Sequence, residues 1–450
     1  MTTRILYGHV LARLADLPDE SVHCVVTSPP YYGLRSYGTA PQVWGGDPNC
    51  QHEWQTDHVI AETSGNVRWQ HTTGGGGDGT MNRFAKSRED ADDHREFTTV
   101  ERGFCRCGAW RGDLGLEPTP ELFIQHLVEI FREIRRVLRK DGTLWLNIGD
   151  SYNGQKNGNT EVNKNPRAVT NAFQKRLASN CKPKDLLMIP AQLALALRAD
   201  GWWLRSEIVW AKKAPMPESV TDRPTCAHEK IFLLSKSKTY YYDAEAVKEE
   251  ASELTTCPPN PSRGEKTRQR ETHEHGNTRR SKFDADVPYR PSHRNMRNVW
   301  HLGPEPFPEA HFATFVSEIP RRAILAGTSA RGVCPKCAAP WVRVVEKSGG
   351  TIGKGGWHQH EDDLGRRQKA APLADYKVET IGWRPSCSCD AGNPIPATCL
   401  DPFLGAGTTA MVADQLGRHC IGIELAPSYA AMSERRVRDD AGMFAQIAAE

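Results

Sequence analysis

Long apolar runs are missing from this chain. None reaches the ~18 residues that a membrane-spanning helix needs, and the mean hydropathy is −0.59. Also missing is a charged amino-terminal segment leading into an apolar core, so no secretory leader is expected and the chain reads as cytoplasmic. Neither sign of charge dominates. Lys and Arg number 58 against 55 Asp and Glu, a net +3, which is too little on its own to announce a nucleic-acid partner. There is no internal repeat. Cysteine, by contrast, is abundant, with 13 among 450 residues. In a chain without a leader, thiols stay reduced, so clustered cysteines read as metal ligands rather than disulfides.

Ordered α/β patterning occupies 1–39, 113–249 and 396–450, and the stretches between them differ in character. Residues 4–27 read as a short helix and then a β-branched strand, Val22 to Thr27, stopped by Ser28-Pro29-Pro30, since proline cannot continue a ladder. A helix is expected from Thr119-Pro120-Glu121, with a cap, a first-turn proline and an acid at the positive end. Further elements follow: a strand at 143–148, a helix at 191–199, and strands at 204–210, 230–234 and 240–243. The end of the chain adds a strand at 397–400, a helix at 408–416, a strand at 420–423 and a helix from Pro427. Alternation of this kind implies an α/β fold with a mostly parallel sheet and helices on both faces. Residues 40–112 and 331–395 read as insertions, the first of them irregular, and 250–298 as a basic, polar loop.

Two short segments hold the chemistry. Asp401-Pro402-Phe403-Leu404-Gly405-Ala406-Gly407-Thr408-Thr409 lies where a strand hands over to a helix. Glycines there admit a ligand close to the backbone, and a helix amino end favours an anionic group. Glu424 closes the next strand, where a carboxylate can accept ribose hydroxyls. Gly405-x-Gly407-x-x-Ala410 also fits a dinucleotide fingerprint. Against that reading, Asp401-Pro402-Phe403 intervenes before the first glycine, and few residues follow Glu424. The second segment is Ser28-Pro29-Pro30-Tyr31, directly after a buried strand. Paired prolines make a rigid loop with free carbonyl acceptors, and the aromatic supplies a stacking surface. Such parts suit acceptance of hydrogen bonds from an amino group while the ring that bears it is stacked.

Together, Ser-Pro-Pro-Tyr and Asp-Pro-Phe-x-Gly-x-Gly-Thr-Thr resemble the amino-methyltransferases of DNA. The catalytic tetrad precedes the cofactor loop, as in the permuted group called the β class. Leu144 to Tyr152, Ile208 to Pro217 with Arg223 and Glu229, and His311 to Phe315 resemble that group's middle motifs; Val316 departs from it, standing where a proline is expected. The resemblance implies a Rossmann-like S-adenosylmethionine-dependent methyltransferase fold with two small insertions. Residues 1–39 and 113–249 would then be the catalytic half, 299–330 a link, and 396–450 the cofactor half. It further implies that Ser28 and the Pro29 carbonyl accept hydrogen bonds from the target amino group, next to Pro30, while Tyr31 stacks on the flipped base. Gly405, Gly407 and Thr408, with Asp401 and Phe403 nearby, would hold the methionine end of the cofactor, and Glu424 its ribose. Serine ahead of Pro-Pro-Tyr goes with cytosine N4 within the family, and aspartate or asparagine with adenine N6, so cytosine N4 is favoured and adenine N6 is the alternative. Methylation at cytosine C5 would need a Pro-Cys nucleophile, and that dipeptide does not occur.

Cys334-x-x-Cys337 with Cys387-x-Cys389 offers four thiolates for a closed, structural zinc site. In the first insertion, Cys50 and His52 with Cys105 and Cys107 offer a Cys3His set. Both insertions are poor in core-forming residues, which a metal would offset. Cys24, Cys399 and Cys420 lie in apolar runs and read as core. Competing readings are a protein-glutamine methyltransferase, which has asparagine first and the opposite loop order, and a zinc-stabilised nucleic-acid-binding module without catalysis. The expected partner is double-stranded DNA, with RNA not set aside and a homodimer also compatible. The basic loop carries Arg263, Lys266, Arg268, Arg270, Arg279, Arg280, Lys282, Arg290, Arg294 and Arg297, a phosphate-contacting composition. Replacing Arg279 and Arg280 by Ala is expected to weaken DNA binding and flatten its salt dependence in a titration across ionic strengths. Binding unchanged at every salt concentration would remove the loop from the interface.

Overall fold

In the computed structural model, residues 1–33, 38–54, 57–62, 97–154, 181–215, 217–250, 293–305, 316–348, 377–390, 392–444 and 446–449 are described. Two compact units emerge. The first comprises Met1–Ser28, Glu133–Asn147 and Gly201–Glu450, and the second Pro29–Arg132 and Ile148–Asp200. No helix among the described residues is long and apolar enough to cross a membrane.

The elements run in chain order as follows. First come β1 (Thr2–Tyr7), α1 (Val10–Ala15), β2 (Val22–Thr27), β3 (Gln42–Trp44), β4 (Asp57–Glu62), β5 (Phe97–Phe104) and β6 (Trp110–Gly112). Next are α2 (Pro120–Val137), β7 (Leu138–Ile148), α3 (Ile189–Ala199), β8 (Trp203–Lys212), β9 (His228–Ser235), β10 (Glu249–Glu250), β11 (His293–Arg294) and β12 (Val299–Leu302). The chain closes with α4 (Glu318–Gly327), β13 (Trp341–Ser348), β14 (Lys377–Pro385), β15 (Thr398–Asp401), α5 (Thr408–Gln415), β16 (His419–Glu424), α6 (Pro427–Ala441) and β17 (Gln446–Ala449).

The first unit is built on a nine-stranded sheet in the order β12-β8-β9-β7-β2-β15-β16-β1-β17. From β7 to β17 every pair is parallel, and β8 with β9 is antiparallel. All six residues of β2 are buried, the mark of a central strand covered on both faces. One face packs Cys24, Val26, Trp145 and Trp300 with Ile319, Ala323 and Ile324 of α4. Trp145 is fully buried, its ring 6.2 Å from that of Trp300, and its indole nitrogen donates to the Thr143 hydroxyl at 3.2 Å. Cys24, Cys399 and Cys420 are buried, as their apolar surroundings suggest, and burial pushes the Cys24 thiol up to about 12. In the second unit, Thr119 caps α2 through its hydroxyl, which accepts from the Leu122 amide at 3.2 Å.

Four sequence expectations need correction. Residues 2–7 form a strand, β1, because Thr3 to Leu6 lie in register beside Cys420 to Ile423 of β16; a strand whose partner lies at the far end of the chain is invisible to local pattern. Residues 299–330, to which the sequence reading assigns no strand or helix, contain β12 and the ten-residue α4. Residues 240–243, expected as a strand, are not one, and the Asp243 carboxylate instead receives Arg343 at 2.9 Å. Residues 40–112, expected to be irregular, hold a four-stranded sheet, β3-β6-β5-β4. In the basic loop, residues 251–292 lie outside the described residues, so Arg263 to Arg290 do too. Arg294 and Arg297 are described, each paired with Glu249 at 3.1 Å. His311 to Phe315 also lie outside the described residues.

Trp145 fills space between sheet and helix that no neighbour can reclaim. Replacing it by Ala should cost about 3–5 kcal/mol, the range for a large aromatic removed from a core, while Phe should cost less. Urea unfolding followed by far-UV circular dichroism checks this, and an Ala variant as stable as the parent would contradict it.

Candidate active site

Strands β2, β15 and β16 are neighbours and end at the same edge of the sheet. One side chain fastens the ends of β2 and β15 together. Asp401, the last residue of β15, is buried and accepts from Thr27 Oγ1 at 2.7 Å, from Thr409 Oγ1 at 2.7 Å and from the Phe403 amide at 3.1 Å. Thr27 is the last residue of β2, immediately before Ser28, and Thr409 belongs to the first turn of α5. The carboxylate thus clamps the strand that leads into Ser28 to both ends of the glycine loop. Burial drives its acidity down, to a pKa of about 6, and the three donors oppose that shift.

The glycine loop is shaped by close approaches. Gly407 has φ +81°, and a Cβ there would stand 2.7 Å from the Ser433 Cβ, so neither the conformation nor the space admits another residue. Gly405 has φ +54°, and its amide donates to Glu424 Oε2 at 2.8 Å. The other oxygen of Glu424 accepts the Ala426 amide at 2.8 Å. Burial raises the Glu424 pKa, and those amides offset it. Arg436 donates to Thr408 Oγ1 at 2.8 Å and to the Ala406 carbonyl at 3.2 Å, so α6 braces the loop from behind. Phe403 is half-buried.

Ser28, at the end of β2, is itself held. The Asn147 amide nitrogen donates to Ser28 Oγ at 3.5 Å and to Glu229 Oε2 at 2.8 Å. Glu229 in turn pairs with Lys212 at 2.5 Å, and the Lys212 ammonium lies 5.1 Å from the Trp210 ring centroid. Sequence reasoning named Glu229 only as part of a motif and did not see Asn147 or Lys212 as part of this site. A buried Asn closing an apolar strand, and a Glu opening one, were the available signals.

In the second unit, Pro29 is buried and Pro30 and Tyr31 are half-buried. A Cβ on Gly149 would meet the Tyr31 ring at 2.6 Å, and one on Gly115 would meet the Tyr31 carbonyl oxygen at 2.8 Å. Both glycines are therefore required for the tyrosine to lie as it does. Gly115 is fixed by its amide, which donates to Glu117 at 2.8 Å, and Glu117 pairs with His126 at 2.9 Å. The eight proposed metal ligands also assemble. Cys50, His52, Cys105 and Cys107 form one group and Cys334, Cys337, Cys387 and Cys389 another, with ligand atoms all within 4.8 Å in each.

Residues 22–334 and 394–435 match the profile of the DNA methylase family of N6/N4 type. The chain belongs to that family. It is therefore a DNA methyltransferase, and DNA is its substrate. The match spans the tetrad, β7, Glu229 and the glycine loop. Among curated relatives, the Type II methyltransferase M.Cfr9I of Citrobacter freundii is 31% identical over 98% of this chain and 90% of the relative. The Type II methyltransferase M.SmaI of Serratia marcescens is 29% identical over 96% of this chain and 90% of the relative. Of solved structures, the cytosine-N4-specific PvuII DNA methyltransferase superposes with a TM-score of 0.44 at 12% identity, covering 98% of this chain and 94% of that one. That likeness is too distant to transfer residue roles.

Asp401 titrates with a sign that can be checked. Its folded pKa, about 6, lies above the ordinary 3.8, so its contribution to stability is complete below pH ~4 and is lost as the pH rises to ~6. The stability difference between the parent and Asp401→Asn should therefore shift against the parent across that window, by on the order of 2–3 kcal/mol, and level off above it. Urea unfolding at a series of pH values measures it, and a pH-independent difference would refute the assignment.

Proposed function

We propose that this DNA methyltransferase transfers the methyl group of S-adenosylmethionine to an exocyclic amino nitrogen, cytosine N4 in preference to adenine N6, in double-stranded DNA. The observation that carries the reading is the Asp401 clasp, which joins the end of the strand leading to Ser28 to the glycine loop. The loop also fits the cofactor. Gly405, left-handed, leaves open space where a Cβ would stand, and Gly407, left-handed and packed against Ser433, turns the chain into the amino end of α5. Glu424 closes the neighbouring strand. When bound, S-adenosylmethionine supplies a methyl group on a sulfonium, activated for attack by a neutral nitrogen.

The protein's task is then orientation. An exocyclic amino nitrogen is a poor nucleophile because its lone pair is delocalised into the ring. Hydrogen bonds accepted by Ser28 Oγ and the Pro29 carbonyl favour a pyramidal nitrogen with its lone pair aimed at the methyl carbon. Asn147 already donates to Ser28 Oγ and so orients the hydroxyl, and Glu229 with Lys212 fixes Asn147 in turn. Tyr31, wedged over Gly149, supplies the face on which an extruded base stacks. Pro30 keeps this loop from rearranging. Gly405, Gly407, Thr408, Asp401 and Phe403 would hold the amino-acid end of the cofactor, and Glu424 its ribose. No covalent enzyme intermediate is needed. The preference for cytosine rests on the serine that opens the tetrad.

Incubation of the full-length protein with duplex DNA and S-adenosylmethionine, followed by mass spectrometry of the nucleosides, tests the reading. N4-methylcytosine is the expected product. N6-methyladenine would overturn the choice of base, and no modified nucleoside on any duplex tried would overturn the proposal. Ser28→Ala and Tyr31→Ala should lower kcat about 100-fold or more, as loss of positioning does, with S-adenosylmethionine affinity retained.

A further inference from the structure

The two cysteine clusters include none of the residues proposed for methyl transfer, and both are built to one plan. In the second unit, Cys105 and Cys107 sit on a tight turn: the Gly108 amide donates to the Cys105 carbonyl at 2.9 Å and the Cys105 amide to the Ala109 carbonyl at 2.8 Å. Gly108 is left-handed, φ +88°. In the first unit, Cys334 and Cys337 flank a matching turn, with the Ala338 amide donating to the Cys334 carbonyl and the Cys334 amide to the Ala339 carbonyl, each at 2.8 Å. Here the left-handed residue is Ala338, φ +55°. A residue with a Cβ is rarely held there unless its surroundings over-determine it.

The spacing within the first cluster points to a particular occupant. Cys50 Sγ and Cys105 Sγ are 3.8 Å apart, and Cys107 Sγ is 3.4 Å from His52 Nδ1. A disulfide needs sulfurs about 2.05 Å apart, so this pair is not one. Around a tetrahedral zinc with Zn–S near 2.3 Å and Zn–N near 2.05 Å, the edges come out at about 3.8 Å for S···S and about 3.5 Å for S···N. We propose that the chain binds two structural zinc ions, one at Cys50, His52, Cys105 and Cys107 and one at Cys334, Cys337, Cys387 and Cys389. Four protein ligands close each site, leaving no position for a reacting water.

The second site has a definite task. Arg139, near the start of β7, donates to the Cys337 carbonyl at 3.0 Å. His23, near the start of β2, accepts the Thr398 amide on Nδ1 at 3.1 Å, so its Nε2–H donates to the Ala338 carbonyl, also at 3.1 Å. The metal-bound turn therefore pins the amino ends of β2, β7 and β15, at the opposite edge from Asp401. Cys387 and Cys389 follow directly on β14, so the same ion closes the β13–β14 hairpin. That hairpin is braced by Arg343, whose guanidinium lies 4.5 Å from the Trp383 ring centroid and bonds Asp243.

Metal analysis of the purified full-length protein is the test, and it is independent of methyl transfer. Two zinc ions per chain are expected, with Cys107→Ser and Cys337→Ser each removing one. Cobalt substituted for zinc should show intense tetrahedral d–d bands and a thiolate charge-transfer band. Should either variant fail to fold, stepwise release of zinc from the unaltered protein by a mercurial, reported by a chromogenic chelator, still counts both ions. Iron in place of zinc, or a chain that holds neither metal after expression with zinc supplied, would overturn the proposal. A single ion per chain would overturn one site, identified by the variant that leaves the content unchanged.

Discussion

The buried carboxylate of Asp401 is the constraint on which the site depends. A carboxyl group removed from water is unfavourable unless donors replace the water, and here three are supplied, from Thr27, Phe403 and Thr409. Because those donors belong to three different segments, satisfying one carboxylate fixes the end of β2, the start of the glycine loop and the first turn of α5 together. Thr27 stands immediately before the tetrad, so the geometry of Ser28 is inherited from the clasp. The raised pKa is the trace of that burial, which the donors offset only in part: the group is held for what it joins, at some cost in charge stability.

The same device recurs with other acids. Glu424 accepts the amides of Gly405 and Ala426 and so sets the path of the chain on both sides of the proposed ribose position. In the second unit, Glu117, whose pKa burial raises, accepts the Gly115 amide and pairs with His126, and Trp44 and Trp110 stack on that histidine at 5.4 and 5.6 Å. Gly115 abuts the backbone of Tyr31. Each reactive loop is thus irregular in φ and ψ yet rigid, because a buried acid consumes the amide protons that irregular backbone leaves over. Orientation of an amino nitrogen, the main catalytic demand of this reaction, needs rigidity of that sort.

Much of this was legible in the chain before any fold was known. The helix from Thr119, the strand stopped by Pro29 and the strand–glycine–helix passage at Asp401 all declare themselves locally, through capping, proline chemistry and period. The cysteine and histidine hooks were legible by spacing. Less legible were β1 and β12, edge or near-edge strands whose stability comes from partners hundreds of residues away or in another motif. Residues 240–243 have strand-like composition, but their hydrogen bonds go elsewhere, to Asp141 and Ala326.

Sequence by itself determined the chemistry on offer: a serine and a carbonyl able to accept amino protons, an aromatic able to stack, glycines that admit close approach, and sulfur and imidazole in fours. Those follow from side-chain type and short-range spacing, which need no tertiary contact. Only the tertiary structure decided that Asp401 is a clasp, that Asn147, Glu229 and Lys212 stand behind Ser28, and that distant hooks converge into closed tetrads. These relations join residues up to several hundred positions apart. They arise because parallel strands bring remote segments to one edge, where a buried charge must find its donors.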